Sequence, residues 1–228
     1  NNPCINSIWD IKPMSDLQDI DITLTEEQRD CYQEITNVAM GQAGDSLARF
    51  LEVFIHLSVP RIRLVAKDDL GTELEALIGG VGSKVSGVSQ GFYHIEDGKG
   101  IRGEAIVVFN DTSFKELADL LAYDEELTDA AEKELLMDVT NVLNGACLNG
   151  IGEQIETELA YSPPTILGQH VPIADLLEHE KLSWGHALLV EISYTLEDRS
   201  FNCTMFLLMP GESIVVMKDE LDKLLEDL

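Results

Sequence analysis

The chain has 228 residues, 45% of them hydrophobic, and a formal net charge of −27. Its size allows one large domain or two small ones, and its charge sets aside nucleic acid and anionic membrane surfaces, which need clustered Lys and Arg. The longest apolar runs, such as 105–109 and 187–190, are too short to cross a bilayer. No charged start followed by an apolar segment marks a signal peptide. Cys4, Cys31, Cys147 and Cys203 are scattered without a paired motif, which suits reduced thiols in a cytoplasm.

Residues 1–23 are polar and interrupted by Pro3 and Pro13, and read as a leader or linker whose Ile8, Trp9 and Ile11 dock on the core. Thr25-Glu-Glu-Gln28 is a capping-box signature that starts a helix. Ile35, Val38, Ala39, Ala43, Leu47, Phe50, Leu51 and Phe54 then recur at three and four, the buried stripe of a long helix that ends before Pro60. Residues 61–66 read as a strand and 67–82 as an irregular crossing with a short helical turn. Residues 85–95 and 101–110 are strands joined by a hairpin, and 111–123 form a helix. The second half repeats this order. A long helix covers about 128–159, a strand 165–169, a crossing includes 173–177, a hairpin joins 184–196 to 200–209, and a closing helix spans 214–225. The order predicts an α+β fold built from a duplicated helix-strand-crossing-strand-strand-helix unit with pseudo-two-fold symmetry. We expect one domain over 24–228, made of repeats at about 24–126 and 127–228.

The duplication is visible in the residues themselves. Asp30, Glu34, Asn37 and Gly41 recur 104 positions later as Glu134, Asp138, Asn141 and Gly145. Ser58, Pro60 and Ile62 recur at the same offset as Ser162, Pro164 and Ile166, with no gap. On a helix each quartet forms one stripe, set beside the apolar one. Asn is a poor residue for a helix interior and Gly costs about 1 kcal/mol relative to Ala. Both unfavourable choices occur twice at matching positions, so this face is kept for a function.

These residues resemble the signature of the CheC/CheX/FliY phosphatases of bacterial chemotaxis: an acidic residue or Ser, three residues, Glu, two residues, Asn, then 22 residues and Pro. Asp30, Glu34, Asn37 and Pro60 meet it fully; Glu134, Asn141 and Pro164 meet it in spacing, with Asp138 where the family has Glu. The resemblance covers about 25–228 and implies two long helices over an antiparallel sheet. It further implies hydrolysis of the phospho-aspartate of a CheY-type response regulator, with Asn37 and Asn141 positioning water and Glu34 and Asp138 pairing with the regulator's lysine. The chain would carry no cofactor of its own, since the Mg²⁺ belongs to the phosphorylated partner. Two alternatives stand beside this: a non-catalytic module that binds the regulator, and a partner for a CheD-like deamidase. The duplication supplies internal symmetry and points to a monomer.

Other candidates carry less. His170, His179 and His186, with Glu178 and Glu180, fit no familiar metal-ligand spacing. Gly79-Gly80-Val81-Gly82 lacks the Lys-Ser/Thr of a phosphate loop. Ser162 reads as a turn residue, and Trp184 as part of the core.

Overall fold

The computed structural model describes residues 22–78, 83–96, 99–111, 113–120, 128–178, 186–197 and 201–226. The expectations for residues 1–21, the glycine run at 79–82, His179, Glu180 and Trp184 lie outside these. Helix α1 (Glu26–Leu51) begins as its first residues require. Thr25 Oγ1 accepts from the Gln28 amide at 3.1 Å, and the Gln28 side chain accepts from the Thr25 amide at 3.0 Å. Gln28 also donates to Asp222 at 2.7 Å, tying this end to the last helix. The helix stops where Glu52 turns left-handed, with φ 55°. The chain is therefore already leaving the helix before Phe54, which is 64% exposed rather than part of the buried stripe. Val38 is exposed too: it lies about 100° round the helix from Ala39, off the buried arc.

The order continues with β1 (Ile55–Leu57), β2 (Arg61–Ala66), a short 3-10 turn and α2 (Leu70–Ile78), then the hairpin β3 (Lys84–Glu96) and β4 (Lys99–Asn110), and α3 (Ser113–Leu120). The second half follows the same plan. Its elements are α4 (Asp129–Gln154), β5 (Ala160–Tyr161), β6 (Thr165–Pro172), α5 (Ile173–Glu178), β7 (His186–Leu196), β8 (Asn202–Pro210) and α6 (Gly211–Glu226). Helix α4 is capped by Thr128 and followed by left-handed Glu156, φ 51°, the 104-residue equivalent of Glu52. The short strands β1 and β5 carry no sequence signal of their own and form because the chain passes a sheet edge.

All eight strands belong to one antiparallel sheet. The two hairpins meet at its centre through β4 and β8, with Ile106 opposite Phe206. The outer strands are exchanged between halves. Strands β1 and β2 pair with β7, while β5 and β6 pair with β3. Ile62 faces Val190 as Ile166 faces Val88, so the duplicated positions occupy the same register on opposite edges.

The sheet is covered on both faces, which explains its unbroken apolar runs. Ala105, Val107 and Phe109 of β4 point to the layer of α1 and α4, and Ile106 and Val108 to that of α2 and α5. Helices α1 and α4 approach closely at Gly150, where an added Cβ would lie 2.9 Å from the Ala39 Cα. That contact sets how the two motif-bearing helices are turned.

Candidate functional site

The polar side chains of both repeated stripes are on the surface. Asp30, Glu34 and Asn37 are exposed on α1, and Glu134, Asp138 and Asn141 on α4. Among the described residues, no hydrogen bond or ion pair ties any of the six down. Within each helix the carboxylate and the carboxamide three residues on are neighbours, separated by about 5–6 Å at Cβ. Gly41 and Gly145 are different from the packed glycines. A Cβ at either would meet nothing within 4 Å, so the internal fold gives no reason for the missing side chain.

The helix contacts fix where each stripe faces. On α4, Asn141 and Gly150 are nine residues apart, which at about 100° per residue puts them on opposite sides. Asn141 therefore points away from α1. On α1, Asn37 is two residues from Ala39, the residue that meets Gly150, and so points away from α4. Asn37 instead aligns with Gly44, two turns further on, which packs against Leu57 of β1. The structure thus brings Glu34 to Asn37 and Asp138 to Asn141, but keeps the two pairs apart, each facing its own edge of the sheet. They form two separate candidate sites.

The residues after each helix hold a strand in place. The Ser193 amide donates to Ser58 Oγ at 3.0 Å, and the Ser58 amide to the Ser193 carbonyl at 3.1 Å. Ser162 repeats this with Gly91, at 2.9 Å in both directions. These duplicated serines, one of which reads as a simple turn in sequence, fasten the segments carrying Pro60 and Pro164 to the neighbouring hairpin.

Beneath the second site lies a feature that sequence reasoning missed. Asn144, fully buried in α4, donates to Gln90 Oε1 at 3.0 Å, and Gln90 donates to the Ser162 carbonyl at 3.0 Å. Asn144 Oδ1 has no partner. At the equivalent point of α1 stands Met40, also buried. The signal was present as a mismatch between the repeats, a carboxamide aligned with a thioether.

Of the remaining candidates that fall within the described residues, His170 is engaged by its neighbours. The two ring nitrogens of His170 contact Asp111 Oδ1 at 3.0 Å and Glu132 Oε2 at 2.8 Å. Hydrogen bonding to Glu132, then to Asp111, holds its imidazole above the ordinary histidine value. Among the described residues no group of three or more His, Cys, Asp or Glu is arranged to hold a metal, and no helix is long and apolar enough to cross a membrane. Burial pushes the Cys147 thiol up to about 12 and raises Cys203 as well, which removes both as nucleophiles.

No protein-family model matches the chain. Solved structures do. FliY of Thermotoga maritima superposes with a TM-score of 0.65 at 20% identity, over 88% of this chain and 98% of that one. A CheC-like superfamily protein from Shewanella sp. PV-4 gives 0.53 at 13% identity, over 78% and 98%. The fold is that of the CheC/CheX/FliY proteins. This CheC-like fold is also that of the FliM middle domain from Helicobacter pylori, which matches at 0.58 with 12% identity, over 86% of this chain and 99% of its own.

Proposed function

We propose that the chain is a phosphatase acting on the phospho-aspartate of a CheY-type response regulator. The observation that carries the reading is the pair of exposed carboxylate–carboxamide stripes, each followed by a glycine with open space above it. An acyl phosphate is already labile, so a catalyst has mainly to orient water in line with the phosphorus. The oxygen of Asn37 accepts a hydrogen bond from that water and its NH2 donates to a phosphoryl oxygen. Water oxygen bonds to phosphorus, the bond to the aspartate oxygen breaks, the regulator recovers its carboxylate, and inorganic phosphate leaves with the water's protons shared with solvent. Glu34 pairs with the regulator's lysine and holds the two proteins in register. Mg²⁺ bound by the regulator supplies charge neutralisation at the phosphoryl group.

Asn141 and Asp138 take the same roles on α4. Asp is shorter than Glu by one methylene, about 1.5 Å, a displacement to which positioning is sensitive. The first site therefore carries most of the turnover. Because the sites face opposite edges, each serves its own regulator molecule. The test is the decay of a phosphorylated CheY-type regulator with the wild-type chain, with Asn37→Ala and with Asn141→Ala. Acceleration should be lost mostly in Asn37→Ala; a larger loss from Asn141→Ala reverses the ranking.

A second reading is a non-catalytic binding module, favoured by the likeness to the FliM middle domain. Such a module slows decay by protecting the phosphoryl group, whereas a phosphatase speeds it. A CheD-like partner is a further proposal, tested by co-purification that survives Asn37→Ala.

A further inference from the structure

The two motif helices face sheet edges that differ in one respect. Along the edge beside α1, three aliphatic side chains are uncovered: Leu57 is 38% exposed, Val59 67% and Leu64 42%. Strand parity shows which way the two strand residues point. Leu57 lies opposite Tyr194 and Leu64 opposite Leu188, both core residues on the α1 and α4 side of the sheet. Leu57 also touches Gly44, two turns beyond Asn37 on the same line of α1. The aliphatic row therefore continues the surface that begins with Glu34 and Asn37.

The repeat provides an internal control. At the equivalent positions of the other edge stand Tyr161, Pro163 and Gly168. The Tyr161 hydroxyl is engaged by Asn149, and Gly168 presents no side chain. Register is shared through Ile62 and Ile166, so the fold does not require aliphatics at the positions of Leu57 and Val59; beyond it the β3–β6 pairing is bulged, and a Cβ at Gly168 would press on Val171 and Leu176 on the α5 side. Exposed aliphatics on an edge strand are a liability unless something covers them.

We infer that Leu57, Val59 and Leu64 form the docking ledge for the response regulator at the first site, an inference that rests on the phosphatase reading. The chemistry specifies the occupant. Asp30 and Glu34 make the near end of this surface anionic, and the ledge makes the far end apolar. The matching partner face carries an ammonium group beside an exposed apolar patch. The second site, lacking the ledge, holds its regulator more weakly whatever the reach of Asp138.

The experiment uses the full chain carrying Asn141→Ala, so that the first site alone turns over, with and without Leu57→Ser/Leu64→Ser. Phosphoregulator decay is followed against regulator concentration, and binding of the beryllofluoride-stabilised regulator is measured in parallel. We expect the half-saturating concentration to rise about tenfold, with the maximal rate retained. Val59→Ser, the most exposed of the three and the least able to disturb folding, should give about a threefold rise with an unchanged melting temperature. Unaltered half-saturation in both variants overturns the ledge. A wild-type dimer that the double variant dissolves also overturns it, because a second copy is then the occupant. If wild type fails to speed decay but binds the beryllofluoride form, and the double variant weakens that binding tenfold, the ledge stands and the phosphatase reading falls.

Discussion

Gly41 offers the sharpest separation of fold from function. It sits inside α1, where Gly costs about 1 kcal/mol relative to Ala, and its missing Cβ would touch nothing within 4 Å. Gly41→Ala should therefore stabilise the protein by about 0.5–1 kcal/mol, a rise of roughly 2–4 °C in melting temperature for each kcal/mol at this chain length. If the glycine is kept so that a partner's backbone can come close, the same methyl group overpacks that contact, at about 1–3 kcal/mol. The product is a more stable protein whose kcat/KM at the first site falls about tenfold. Thermal unfolding by circular dichroism gives the first number, and phosphoregulator decay in an Asn141→Ala background the second. Stabilisation with undiminished decay refutes the close-approach argument; absence of stabilisation refutes the reading of open space above α1.

Gly150→Ala should do the opposite and destabilise by about 1–2 kcal/mol, because its Cβ would press on the Ala39 backbone, which cannot swing aside as a side chain can; urea unfolding measures it. Asn144→Leu, close to isosteric, removes a buried carboxamide oxygen without a partner and leaves half-buried Gln90 within reach of water. It should gain about 1 kcal/mol in the same assay, and a loss would mean that the Asn144–Gln90–Ser162 chain stabilises the fold on balance. His170 has a raised folded pKa, so its contribution is fully present below the unfolded histidine value of about 6.5 and is lost as pH rises through the folded value. His170→Gln should lower the melting temperature near pH 5.5 and leave it unchanged near pH 9, by a small margin because the side chain is 43% exposed and screened.

The elements that could be read from sequence are those whose signals are local. The Thr25–Gln28 box, the apolar arc from Ile35 to Leu51 and the continuous runs of β4 and β7 each fix an element within a few residues of itself. Strand β2 was read with its observed bounds, and the motif stripes face solvent as their spacing requires. Phe54 misled because periodicity alone does not see a helix end: Glu52 adopts a left-handed conformation without the glycine that usually announces one. The exchange of outer strands was not legible, since the pairing partners lie far apart in the chain, from Tyr93 opposite Ala160 to Ile55 opposite Leu196, and no local signal joins them. The polar chain under the second site was legible only by comparison, where Asn144 departs from Met40.

The exchanged outer strands bear on what half of this molecule would be. A chain stopped at Leu120 would have β2 without β7 and β3 without β6, leaving backbone donors and acceptors bare at both places. Two such halves could satisfy each other by reciprocal strand donation, with one β4 lying beside the other where β4 and β8 now meet. The duplicated chain is in that sense a symmetric dimer whose assembly has been made intramolecular and independent of concentration. Joining the halves also releases them from identity. In a dimer of identical subunits a change at the position of Glu34 would strike both sites, whereas here one site can keep its glutamate while the other explores aspartate.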